Sequence, residues 1–406
     1  MTAIDAARSA DNSADGPATV EADVADPVDA TRLVDVDVAN GGAPIERPSL
    51  VPGHRRVLRW AGRLAFFVPA FCLFVVALGL MKTGATALAP TLDGSIFTDN
   101  LAGVLGLGWL GACIVLSGSP VATASLTLLD GGALERGESL VMLVGSRLGA
   151  SFVVLVVGFF FAIRKRRGDG RKVPLTVGVM SLLMTALAYL PGAVLAGIFL
   201  SSGALDGVRI DGTPRLLETT GAVSDWTVEL LQRFLPDAAL FPIGLLVLLV
   251  AFKLFDSVLP DPKHEREVIQ ERANAWYHKT WPMFVVGGAV TLMTLSVAVS
   301  LTVLIPLVAK GYLDHEDALP YAAGANITTL ADTMVAAILL GNAEGIQVVL
   351  AALIAVTIWT LVMLKFLYRW VRPAIVRATW SVLSSRPTVA TFTVVLLIVP
   401  MVLIAL

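Results

Sequence analysis

Apolar stretches of about 20 residues, long enough to cross a bilayer, recur from Leu64 to the C-terminal Leu406. This recurrence constrains the chain more than any motif does. Such segments need lipid as solvent, and inside lipid every backbone N–H and C=O must be paired within the protein, so runs of this length span as helices. Composition agrees, since 56% of the 406 residues are hydrophobic and 15% charged, too apolar for a water-soluble domain of this size. The expected fold is an all-α polytopic protein of the cell (inner) membrane, with the lipid bilayer as its first partner.

Residues 1–53 stand apart. The first 50 hold ten Asp or Glu against three Arg and no aromatic residue, the composition of a disordered acidic tail. It has no apolar core behind a basic start, so it is not expected to be a cleaved signal peptide. Cys72 and Cys113 both fall in apolar stretches and read as small buried hydrophobes rather than a disulfide or metal site. His54, His264, His278 and His315 are scattered, without metal-ligand spacing. No P-loop, dinucleotide fingerprint or serine-elbow motif is present, so no enzyme, cofactor or nucleic-acid partner is expected.

Basic clusters orient the spans. His54-Arg55-Arg56, Arg59 and Arg63 precede the first apolar run, which places the N-terminus in the cytoplasm. The next cluster, Arg164-Lys165-Arg166-Arg167 with Arg171 and Lys172, follows the apolar run 139–163. Between them lies 101–129, interrupted at Ser117-Gly118-Ser119-Pro120. A full crossing there would strand the Arg cluster outside, whereas a re-entrant hairpin with its tip at that turn keeps it inside. A second apolar stretch, about 282–309, takes the equivalent place later in the chain. Full crossings are then expected at about 64–88, 139–163, 173–201, 236–256, 317–341, 345–367 and 387–406, with the C-terminus outside. The chain divides into the tail 1–53, a first membrane repeat with its following span over 54–201, an extracytoplasmic loop at 202–235, a second repeat over 236–367, and a basic loop with the last span over 368–406.

The two halves share a register. Leu116 lies 29 residues before Gly145 and Leu295 lies 29 before Gly324, while Gly132 and Gly311 sit at the same offset of 16 within each unit. Two similar units of opposite orientation are what inverted-repeat transporters show, with the binding site near mid-membrane between them. Gly145-Ser146-Arg147-Leu148-Gly149 and Gly324-Ala325-Asn326-Ile327-Thr328-Thr329 bring small and polar residues into otherwise continuous spans, and are expected to break those helices. Broken helices and hairpin tips aim helix N-termini inward, where unpaired N–H groups attract anions. Ser119-Pro120 suits the start of such a half-helix. The same small residues also serve simply to let helices approach closely.

Leu78-Gly79-Leu80-Met81-Lys82, Asn100-Leu101-Ala102-Gly103-Val104-Leu105 and the hairpin-to-break spacing resemble the sodium-dependent phosphate cotransporter family, most specifically at Gly324–Thr329. That family carries a Q-S-S-S hairpin tip and a later G-A-N-I-G-T-T break in each repeat. The resemblance is divergent: Leu116 and Leu295 stand at the glutamine positions, and Arg147 stands where the family has asparagine. It implies a secondary active transporter with two re-entrant hairpins and two broken helices, performing symport of inorganic phosphate with sodium as coupling ion. Ser117, Ser119, Ser296, Asn326, Thr328 and Thr329 would contact phosphate and sodium, with Ser146 and Arg147 completing the first-repeat half. A transporter of another small solute on the same scaffold, or a non-transporting sensor or scaffold with a decayed site, are the alternatives.

Arg147 sits eight residues into the span entered at 139, about 12 Å deep by helical rise. An arginine at that depth must face a cavity, a counter-charge or a ligand. Its guanidinium either replaces a coupling cation and offers a fork of donors to an oxyanion, or pairs with Asp332, although internal symmetry does not match those two positions. Snorkelling to one face is the remaining choice.

Overall fold

In the computed structural model the backbone is described for residues 53–92, 100–164, 173–208, 215–258, 279–309 and 312–406. The acidic tail up to residue 52, the basic cluster 165–172, the charged stretch 259–278 with His264 and His278, and Gly311 lie outside the described residues. Every apolar run forms a helix, and no strand occurs among the described residues. In chain order the helices are α1 (Gly53–Leu92), α2 (Leu101–Val115), α3 (Gly118–Asp130), α4 (Arg136–Arg164), α5 (Val173–Ser201), α6 (Arg215–Gln232) and α7 (Asp237–Val258). They continue as α8 (Thr280–Thr294), α9 (Val297–Ala309), α10 (Ala318–Thr328), α11 (Leu330–Leu340), α12 (Ala343–Val362), α13 (Tyr368–Val382) and α14 (Arg386–Ala405).

Seven helical runs are long and apolar enough to cross a membrane: Phe67–Leu92, Arg136–Phe160, Pro174–Ser201, Asp237–Phe255, His315–Leu340, Ala343–Val382 and Pro387–Ala405. Their positions correspond to the seven crossings expected from hydropathy and parity. The chain is thus an all-α protein of multi-pass membrane type.

The two interrupted apolar stretches fold as helix pairs, α2–α3 and α8–α9. Each pair turns on one left-handed residue, Leu116 at φ 56° and Leu295 at φ 48°. These are the two non-glycine residues with positive φ among the described residues. A side chain in that conformation costs roughly 1–2 kcal/mol, and both leucine side chains are exposed, so their own burial does not offset that cost. The pairs also share their bounds. Leu101 and Thr280, Val115 and Thr294, Gly118 and Val297, Asp130 and Ala309, and Leu116 and Leu295 are each 179 residues apart.

Packing repeats with the same offset. Gly145 of α4 lies against the Leu105 carbonyl of α2, and Gly108 of α2 lies against the Met142 carbonyl of α4. In the later unit Gly324 of α10 lies against the Phe284 carbonyl of α8, and Gly287 of α8 against the Tyr321 carbonyl of α10. All four contacts would be closed by a Cβ, and each member of the first set has its counterpart 179 residues on.

Those contacts correct the expectation of two broken helices. α4 runs from Arg136 to Arg164 without interruption through Gly145–Gly149. The later interruption shrinks to Thr329, which keeps right-handed helical angles and whose N–H still donates to Ala325 O at 3.1 Å. The glycines serve close approach rather than unwinding, because each admits a neighbouring backbone carbonyl. Two segments expected as loops also hold helices. Residues 202–235 contain α6, and the basic stretch after 367 is α13, joined to α12 through a π-helical turn at Met363–Leu367.

At one end of the bundle polar contacts tie several helices together. Lys82 Nζ meets Asp130 Oδ2 at 2.7 Å, and Asn342 Nδ2 donates to Asp130 Oδ1 at 2.9 Å. Arg136 Nη1 reaches Asp206 Oδ1 at 2.9 Å and Gln347 Oε1 at 3.3 Å.

Candidate functional site

The turns of both helix pairs converge on one cavity. Its lining comprises Ser117, Gly118 and Ser119 at the start of α3, Ser296, Val297 and Ala298 at the start of α9, Arg147, Ala150 and Ser151 of α4, and Asn326 and Thr329 from the α10–α11 run. Ten of these eleven residues form five pairs separated by 179: Ser117 with Ser296, Gly118 with Val297, Ser119 with Ala298, Arg147 with Asn326, and Ala150 with Thr329. The cavity therefore sits where the two units meet with equivalent residues. Its volume is about 20 Å³, enough for about one water.

Two helix starts face this space. Ser117 is the residue preceding α3, with extended backbone angles and no side-chain capping bond, so the first-turn N–H groups of α3 are not closed off by its hydroxyl. Helix α3 thus begins two residues earlier than a cap at Ser119 implies. At α9 the Ser296 hydroxyl accepts from Val299 N at 3.3 Å. Unpaired N–H groups at such ends, added to the helix dipole, favour a bound anion.

Arg147 supplies the formal positive charge in the lining. Its side chain is 3% exposed and that of Asp332 is 4% exposed, with Arg147 Nη2 to Asp332 Oδ1 at 3.5 Å. Arg147 Nη1 donates to Thr329 Oγ1 at 3.1 Å and Nη2 donates to Thr333 Oγ1, while Thr333 Oγ1 in turn donates to Asp332 Oδ1 at 2.9 Å. Arg147 Nε and Asp332 Oδ2 are buried and make no hydrogen bond. The counter-charge therefore comes from Asp332 despite the mismatch in internal register, because α11 continues the helix of Thr329 and carries Asp332 and Thr333, one turn on, within reach of the Arg147 guanidinium. Snorkelling is ruled out by the burial.

Asn326 is held from α5. Its Nδ2 donates to Thr185 Oγ1 at 3.1 Å, and Tyr189 OH donates to Asn326 O at 2.6 Å. Ser151 Oγ donates to Arg147 O at 3.1 Å and keeps one face of α4 polar toward the cavity.

Of the expected site residues, Ser117, Ser119, Arg147, Ser296, Asn326 and Thr329 meet at this cavity. Ser146 does not: it is fully buried and its hydroxyl donates to Leu143 O at 2.6 Å. Thr328 does not either, its hydroxyl turning back to Gly324 O at 3.4 Å. Sequence reasoning missed Ser151 and Thr333. Both lie one helical turn from a residue that was found, Ser151 four after Arg147 and Thr333 four after Thr329, so helix periodicity carried the signal. Comparison with protein-family models, with curated proteins and with solved structures finds no match, so the site is read from its own residues.

Proposed function

We propose that the chain is a secondary active transporter of a small oxyanion, inorganic phosphate in the first instance, built from two inverted repeats with re-entrant hairpins α2–α3 and α8–α9. The observation that carries this reading is the cavity lined by five residue pairs of equal offset. Repeat-related halves meeting at one site are what alternating access requires, since rocking one half against the other exposes the same residues to either side. Two helix N-termini, the Arg147 guanidinium and the Asn326 amide supply donors suited to a tetrahedral oxyanion. A volume near that of one water is too small for an oxyanion such as phosphate, so the halves would part to admit substrate.

Sodium is the coupling ion that the family resemblance implies. Uptake of labelled phosphate by proteoliposomes under imposed sodium or proton gradients tests the reading. Accumulation above the gradient-free control is expected. Vesicles that stay at the control level under every gradient would show that the chain does not transport phosphate.

A further inference from the structure

Arg147 and Asp332 form an ion pair with both side chains buried, yet neither is fully satisfied: Arg147 Nε and Asp332 Oδ2 lack hydrogen bonds. The guanidinium is the cation of the cavity lining, so an entering oxyanion competes with Asp332 for it. Once the anion takes those donors, Asp332 is left as a buried negative charge without its partner, beside a second negative charge. Low-dielectric surroundings penalise that state far more than a neutral carboxyl.

We infer that Asp332 takes up a proton when the oxyanion binds Arg147, which makes the proton the coupling ion. This inference rests on the oxyanion-transport reading. On entry a solvent proton forms an O–H bond on the Asp332 carboxylate as the anion takes Arg147. On the other side the anion leaves, Arg147 returns to Asp332, and the proton goes back to water. One proton moves with each anion. For a monoanion the charge within the site is zero both when empty, with Arg147 and Asp332 opposed, and when loaded, with Arg147, the anion and a neutral carboxyl.

The neighbours of Asp332 leave it free to act alone. Arg147 faces it from α4, and Tyr189 from α5 lies within electrostatic reach of both. Thr333, on its own helix, donates to it. From α3 comes Asp130, which is engaged by Lys82 and by Asn342, and Asn342 lies past the end of α11 at Leu340, eight residues or about 12 Å along the helix from Asp332. On α12 the carboxylate Glu344 lies at that same distant end, near Arg136. On α10 the titratable Tyr321 is eleven residues away and bonded to Ser300.

The experiment measures phosphate binding by the full detergent-solubilised chain in two buffers of different protonation heat, across pH, for wild type and Asp332→Asn. Wild type is expected to take up about one proton per phosphate beyond the exchange of phosphate itself, and to lose affinity by up to about tenfold per pH unit on the alkaline side. Asp332→Asn is expected to abolish that extra proton and flatten the slope. Should the variant not fold, the two-buffer proton count on wild type decides alone. Proteoliposomes complete the test, with phosphate accumulating under an inward proton gradient and internal pH falling with uptake. Uptake that follows sodium alone, without proton movement, overturns the inference and leaves the transport reading intact. No phosphate binding and no uptake under any gradient overturns both.

Discussion

Arg147 owes its place in mid-helix to Asp332, and removing one partner strands the other. Arg147→Asn is expected to lower stability by about 3–5 kcal/mol, the usual cost of an uncompensated buried charge. Adding Asp332→Asn should restore much of it. Thermal melts of the single and double variants check this, and a double variant no better than Arg147→Asn alone would sink the pairing. The hydroxyls separate in the same way. Ser119→Ala and Thr329→Ala each remove a group lining the cavity and should weaken phosphate binding by 1–3 kcal/mol, roughly 5- to 150-fold. Thr328→Ala should bind like wild type, because that hydroxyl is turned back onto its own helix. Equilibrium binding distinguishes the three. Polar residue types at the interruptions made most of the site legible in the sequence. Ser146 and Thr328 were misplaced because they are the immediate neighbours of Arg147 and Thr329. Adjacent positions on a continuous helix point about 100° apart, which matters only once the helix is known to be unbroken.

The first helix pair was legible from parity and from the turn residues at 117–120, and the second from its equivalent place later in the chain, whereas the breaks were not there to find. Glycine is written the same way in the sequence whether it unwinds a helix or admits a neighbour. In α4 and α10 the second use wins, since Gly145 and Gly324 each face a carbonyl of the partner helix at a distance that no Cβ could share. Gly145→Ala and Gly324→Ala are therefore expected to cost at least about 1–3 kcal/mol through overpacking. Gly197→Ala, in a helix position with nothing nearby, should instead gain up to about 1 kcal/mol from helix propensity. Thermal stability of the purified variants checks all three, and a tolerated alanine at 145 or 324 would restore flexibility as the reason for those glycines. Leu116 and Leu295 entered the sequence reading as anchors of the shared register and as departures from glutamine, not as turn residues. Their left-handed turns could not be foreseen, because leucine has no preference for that conformation.

Over the whole molecule the seven apolar runs were the most legible feature, since hydropathy over a full span needs no tertiary information. The helical state of the basic stretch was less so, because Lys and Arg are good helix formers that composition alone assigns to a loop. Helix α12 with α13 runs over Ala343–Val382, 40 residues or about 60 Å, twice the hydrocarbon thickness. Its Arg369–Arg377 end thus leaves the apolar layer before α14 turns back. A reporter fused after Leu406 is expected outside the cytoplasm, since α14 makes the seventh crossing. Cytoplasmic activity there, with residues 165–172 also cytoplasmic, would remove this topology. The buried Arg147–Asp332 pair has an electrical consequence. The cation lining the cavity and the carboxylate paired with it together carry no net charge, and the membrane potential acts at about 2.3 kcal/mol per elementary charge per 100 mV. On the proposed transport reading, the return of the unloaded protein would therefore involve no electrical work, and voltage would neither speed it nor hold it back.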